Sequence, residues 1–182
     1  MGSPLVLLDV DGVLNPFQRP HRGYKRHRCS PNGVTYKLWL DAGHGRMLLD
    51  LAESAGAELA WASYWCDEAN TWIGPRVGLP ELPYVPIPRF PGIADAGTLG
   101  AWKARHVAAW VERRPFVWFE DEPDAADRIA AEPGIGDHLL VAVEPDSGLT
   151  GRHIELARTW LGDLAGRSGP SQQPQQPEQP QQ

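Results

Sequence analysis

The chain has 182 residues, a net charge of −6 and a pI of about 5.5. That length suits one hydrophobic core and is short for two, and the acidic balance excludes a molecule whose whole surface attracts nucleic acid or an anionic membrane. Cys29 and Cys66 stand far apart in no paired spacing, so neither a disulfide framework nor a zinc ribbon is implied, and no apolar run approaches the ~18 residues of a membrane span. A reducing cytoplasm is the expected setting, with no signal peptide or anchor and no membrane contact.

The first predicted element is the apolar run Leu5-Val6-Leu7-Leu8, bounded by acids and a glycine, which reads as a fully buried parallel strand. It leads into Asp9 and Asp11, whose side chains share one side of an extended backbone, and Gly12 then lets the chain turn. A long irregular stretch, residues 15–32, separates this strand from the β-prone segment 34–40, expected as one arm of a hairpin. Residues 44–55 carry apolar groups at helical spacing, with Gly56 as a stop. A second strand follows over 58–63 and a short helix over 67–73. The Pro/Gly-rich run 74–97 reads as loop around one short strand near 82–85.

Beyond it a helix is expected over 99–112, then a third buried strand over 116–119 that ends in Glu120-Asp121-Glu122. A short Ala-rich helix over 124–131, a fourth strand over 139–143 and a last helix over 151–164 complete the pattern. The last helix sets Ile154, Ala157, Leu161 and Leu164 on one stripe. The end of the chain is almost entirely Gln and Pro, a composition that cannot bury apolar surface against its ordering entropy. The expected organisation is one domain over residues 1–166 and a disordered tail over 167–182.

Alternating strands and helices specify an α/β fold, a Rossmann-like parallel sheet flanked by helices, with its ligand site at the carboxyl ends of the strands. Those ends carry Asp9 and Asp11, then Ser63, then Glu120 and Asp121. Lys103, in the helix before the third strand, is the candidate counter-charge. Clustered acids with one hydroxyl and one lysine suit a divalent cation and phosphate chemistry.

This set, in this order, resembles the haloacid-dehalogenase (HAD) superfamily of phosphatases. Asp9-Val10-Asp11-Gly12-Val13-Leu14 is similar to its first motif, Ser63 to its second, Lys103 to its third and Glu120-Asp121 to its fourth. The neighbourhood Trp61-Ala62-Ser63-Tyr64-Trp65, with Ala69-Asn70 and Trp118, resembles the small HAD domains of Swiss-army-knife RNA-repair proteins. The resemblance implies Asp9 as nucleophile, forming an aspartyl-phosphate, and Asp11 as general acid and base. It implies Ser63 and Lys103 as partners of the transferring phosphoryl group. Mg²⁺ would be held by Asp9, Asp11, Asp121 and Glu120, with Asp121 as direct ligand and Glu120 holding a bound water. The fourth motif departs from the usual pair of aspartates, and Glu120 with Asp124 also has an alternative family spacing.

About forty residues separate Ser63 from Lys103, too few for a second-type cap domain beside a helix and a strand. A capless site with a short flap hairpin after the first strand is therefore expected, open to large or end-exposed substrates. That first insertion holds no acid from Gly12 to Leu40, but it carries Arg22, Lys25, Arg26, Arg28 and Lys37 among aromatic residues. Basic groups with aromatics track phosphate backbones and stack bases; the alternative is that these cations balance the acidic site or face solvent. Arg22, Lys25, Trp39, Tyr64 and Trp65 are the candidate substrate contacts. Trp61, Trp72, Trp102, Trp110, Trp118 and Trp160 are expected in the core. A metal knuckle from His21, His27, Cys29 and His44 matches no standard zinc spacing.

The expected protein is a monomeric, Mg²⁺-dependent phosphomonoesterase acting on a phosphorylated substrate such as RNA or DNA ends or nucleotides. The rival expectation is a catalytically weak or inactive HAD-fold module that binds phosphate or protein.

Overall fold

The computed structural model describes residues 2–18, 20 and 23–168. Arg22 and nearly all of the expected tail lie outside the described residues.

Four parallel strands form the sheet, in the order β4-β1-β5-β6: β1 (Leu5–Leu8), β4 (Glu58–Trp61), β5 (Phe116–Glu120) and β6 (His138–Ala142). β1 is central and level with both neighbours, Leu8 pairing with Trp61 on one side and Phe119 on the other. Every residue of β1 and β5 is buried, which accounts for the unbroken apolar run of β1 and of β5 up to Phe119.

Alternation along β1 divides the core. Val6 and Leu8 pack into one layer, with Leu48 and Leu51 of α1 (Gly43–Ala55) and Ile154, Ala157 and Leu161 of α7 (Gly151–Ser168). Leu5 and Leu7 pack into the other, with Val107 and Val111 of α5 (Leu99–Val111) and Ile129 of α6 (Ala125–Ala130). Each such Val, Leu or Ile side chain stabilises the fold by roughly 1.5–3 kcal/mol relative to exposure. α1 stops at Gly56, which adopts the left-handed φ of 59° expected of a helix-ending glycine. α7 runs through Ser168, past both the expected helix end and the expected domain boundary at 166.

Two stretches differ from expectation. Part of the segment expected to be irregular is β2 (Tyr24–Cys29), paired antiparallel with β3 (Tyr36–Asp41) through a 3-10 turn at Pro31–Gly33. In β2 only Cys29 is buried, so the sequence shows no apolar alternation there. Residues 74–97 hold two single-turn helices, α3 (Gly74–Val77) and α4 (Ile93–Ala96), after α2 (Glu68–Trp72). The strand expected near 82–85 shrinks to one bridge between Trp61 and Tyr84. Pro83 and Pro86 flank that bridge and have no N–H to continue a ladder.

Candidate active site

Strand phase and helix phase together deliver three charged groups to one point. Leu5 and Leu7 of β1, and Phe116 and Trp118 of β5, face the layer occupied by α5. Continuing each alternation by two residues puts Asp9 and Glu120 on that side. On α5 the buried positions Lys103, Val107 and Val111 recur every four residues, so Lys103 lies on the core stripe, in the first turns of the helix. Its Nζ is 2.9 Å from Asp9 Oδ2, 2.7 Å from Glu120 Oε1 and 2.6 Å from Glu120 Oε2.

All three residues are buried. Burial alone would lower the Lys103 pKa, but Asp9 and Glu120 overcome it and hold the ammonium well above its ordinary value. Burial likewise pushes the Glu120 carboxyl up, against the pull of Lys103. Glu120 Oε1 also accepts from the Glu122 N–H at 3.1 Å, whereas Oε2 faces the ammonium without a hydrogen bond of its own.

Asp121 completes the acidic side. Oxygens of Asp9, Glu120 and Asp121 lie within 4.8 Å of one another. Burial, and then the charge of Asp9, push the Asp121 carboxyl up to about 6. Such mutual repulsion is what a bound cation relieves, and an all-oxygen donor set suits a hard cation such as Mg²⁺. Gly12 has a φ of 77°, and a Cβ there would collide with the Asp121 carboxylate. The glycine is thus required both by the turn and by the close approach of the acid.

Asp11 stands apart from this cluster. Its Oδ1 accepts from Asn15 Nδ2 and its Oδ2 from Trp65 Nε1, each at 2.8 Å. With both oxygens so occupied, its side chain is not gathered with Asp9, Glu120 and Asp121, where a four-acid set was expected. Burial raises the Asp11 pKa, while the bonds from Trp65 and Asn15 oppose the rise. A raised carboxyl is suited to giving and taking a proton. Asn15 Oδ1 in turn accepts from the Trp39 N–H at 2.9 Å, joining β3 to Asp11 through one side chain.

Ser63 is buried in the turn after β4, where its Oγ accepts from the Trp65 N–H at 3.4 Å. The Tyr64 ring stands over Lys103, with Nζ 5.7 Å from its centroid. Beside Asp11 opens a cleft of about 270 Å³ lined by Val34, Tyr36, Tyr64, Trp65 and Glu68. The structure does not bring every candidate to this place. Lys25 is exposed on β2, and Trp39 is half-buried under the Arg26 guanidinium, 5.7 Å from its ring centre. Asp124 is turned away to Thr98 and Arg128, so the alternative spacing with Glu120 does not form a site. Cys29 donates to the Trp72 carbonyl and His44 meets Tyr24; among the described residues neither joins a metal-ligand cluster. Asn15 and Glu68 were not singled out from the sequence, and Tyr36 only as one of the aromatic residues interleaved with the basic groups of the first insertion. Asn15 had only its position four residues after Asp11 to recommend it.

A central parallel strand ending in an aspartate, a lysine salt-bridged to it and an acidic pair on the neighbouring strand define an α/β protein of the HAD-like, phosphatase-related class. The chain belongs to the family described as HAD domain in Swiss Army Knife RNA repair proteins, whose model matches residues 5–154. No curated protein and no solved structure matches it.

Proposed function

We propose that the protein is a Mg²⁺-dependent phosphomonoesterase that works through an aspartyl-phosphate and acts on phosphorylated nucleic-acid ends or nucleotides. The observation that carries this reading is Lys103 Nζ held between Asp9 and Glu120 beside Asp121. An unpaired lysine would be deprotonated by such burial; here it stays charged and offers its positive charge where an anion must approach an anion.

Asp9 attacks phosphorus and the bond to the ester oxygen breaks, with the proton for the leaving alcohol coming from Asp11. Asp11, now ionised, then takes a proton from water, which displaces phosphate from Asp9 and restores the Asp9 carboxylate and the protonated Asp11. Ser63 and Lys103 bind oxygens of the phosphoryl group during both steps. Asp9 and Asp121 would hold Mg²⁺, with Glu120 behind them; the ion supplies charge neutralisation for the nucleophile and the transferring group. The nucleic-acid substrate is supported by the repair context of the family and by the exposed Arg26, Arg28 and Lys37 on the hairpin.

Turnover of a generic aryl phosphate with Mg²⁺ tests the reading. The wild type is expected to hydrolyse it, chelation to abolish the activity, and Asp9→Asn to lower kcat by about a thousandfold or more. Turnover indifferent to Asp9→Asn overturns the aspartyl-phosphate route. Phosphate binding without turnover on any phosphate ester favours the non-catalytic module instead.

A further inference from the structure

The cleft beside Asp11 has a composition that phosphoryl transfer alone does not require. Asp11 is part of its lining, and on the proposed mechanism that carboxylate protonates the departing oxygen, so whatever fills the cleft belongs to the leaving group. Tyr36 and Tyr64 are exposed there, and Tyr36 packs edge-on against Trp65 with ring centres 5.6 Å apart. These are faces on which a flat ring can stack. At about 270 Å³ the space falls just below the 300–1,000 Å³ of pockets for drug-sized ligands, and so suits one ring system and little more.

Glu68 gives the cleft its polarity. Trp72 Nε1 donates to Glu68 Oε2 at 2.8 Å, which fixes the carboxylate, and Oε1 has no hydrogen-bond partner among the described residues. A fixed acceptor beside aromatic walls selects a ring bearing N–H donors. It also disfavours rings that turn a lone pair toward it.

Building on the phosphatase reading, we propose that this cleft is a base subsite, in which the nucleobase of the leaving nucleoside stacks against Tyr36 and Tyr64 and donates to Glu68, with guanine preferred. Guanine presents two adjacent donors, N1–H and the N2 amino group, to a carboxylate. Adenine and cytosine place a ring-nitrogen lone pair beside their amino group, and uracil sets its single N–H between two carbonyls. Each of these brings an acceptor against Glu68 that guanine does not. An aryl group without donors, such as phosphotyrosine, would stack but leave Oε1 unpaired.

The experiment measures kcat/KM of the Mg²⁺-loaded full chain for the 5′- and 3′-monophosphates of the four ribonucleosides, ribose 5-phosphate and phosphotyrosine, with an aryl phosphate as reference. Equilibrium binding of guanosine monophosphate is measured alongside. Guanine-bearing esters are expected to exceed ribose 5-phosphate by about tenfold or more, the lower range of one base–aromatic stack. Tyr36→Ala is expected to bring that ratio close to one. Glu68→Gln keeps an oxygen for Trp72 but turns an amide N–H toward the base, so the preference should move to adenine and cytosine. Equal turnover of nucleotides and ribose 5-phosphate, or ratios unmoved by both variants, overturns the base subsite and leaves the phosphatase standing. A preference for phosphotyrosine overturns it too. If nothing is hydrolysed, the reference included, but guanosine monophosphate binds and Tyr36→Ala weakens it, the catalytic reading fails and the subsite stands; no turnover and no binding overturn both.

Discussion

Lys103 is the residue on which the site's integrity turns. Among the described residues its ammonium is the one cation paired with both buried carboxylates, and removing it leaves Asp9 and Glu120 desolvated beside each other. Breaking a buried pair by deleting one partner typically costs 3–5 kcal/mol, whereas replacing a whole buried ionic group by apolar residues is far cheaper. Lys103→Met should therefore lower unfolding free energy in urea by about 3–5 kcal/mol. Adding Glu120→Leu should recover part of that loss; a double variant less stable than the single one would contradict the assignment. Gly12 is the second exacting position. Gly12→Ala combines a φ of 77° with a collision at Asp121, so cation affinity measured by calorimetry should fall by about tenfold or more while the rest of the strand remains paired.

At the scale of elements, the β2–β3 hairpin is tied to Asp11, the proposed general acid, by Asn15, whose side chain donates to Asp11 and accepts from the Trp39 N–H. Asn15→Ala frees both groups at once. Amide exchange at Trp39 should accelerate and kcat should drop by about tenfold, with less change in KM, since Asp11 keeps only its bond from Trp65. Protected Trp39 exchange in the variant would mean that the hairpin is held by its own packing. Much of this architecture was legible in the sequence because burial on both faces writes itself as an unbroken apolar run. β1 and β5 were found that way, and the acids at their ends followed. β2 was not, because a strand lying mostly in solvent has no apolar phase to display. The link from Asp11 to Asn15 and Trp65 was invisible for another reason. It depends on where the turn after β1 aims a carboxylate, which composition does not encode; extending the strand geometry through Asp11 overstated its kinship with Asp9.

For the whole molecule, stability, cation binding and pH are linked through Asp121. Its carboxyl, raised from an ordinary 3.8 to about 6, lets the folded protein keep a proton that the unfolded chain has already released. That contribution favours folding at low pH and is lost as pH rises from about 4 through 6; Glu120 and Glu122, also raised, act in the same direction. Lys103 behaves oppositely in range. Its pKa is raised, so its stabilisation is full below the ordinary 10.5 and is lost only in alkali. Between these limits the folded protein carries an acidic cluster whose repulsion a bound cation would remove, and protons would compete with that cation for the same oxygens. Mg²⁺ should therefore raise Tm little at pH 4.5 and most above pH 6. At a hundred times Kd the gain is about 2.7 kcal/mol, or roughly 5–10 °C for a domain of this size. Asp121→Asn should flatten that dependence. A Mg²⁺ increment equal at pH 4.5 and 7.5 in the wild type would place the cation away from Asp9 and Asp121, and would remove the electrostatic reason for an anion to be attacked at the carboxyl ends of β1 and β5.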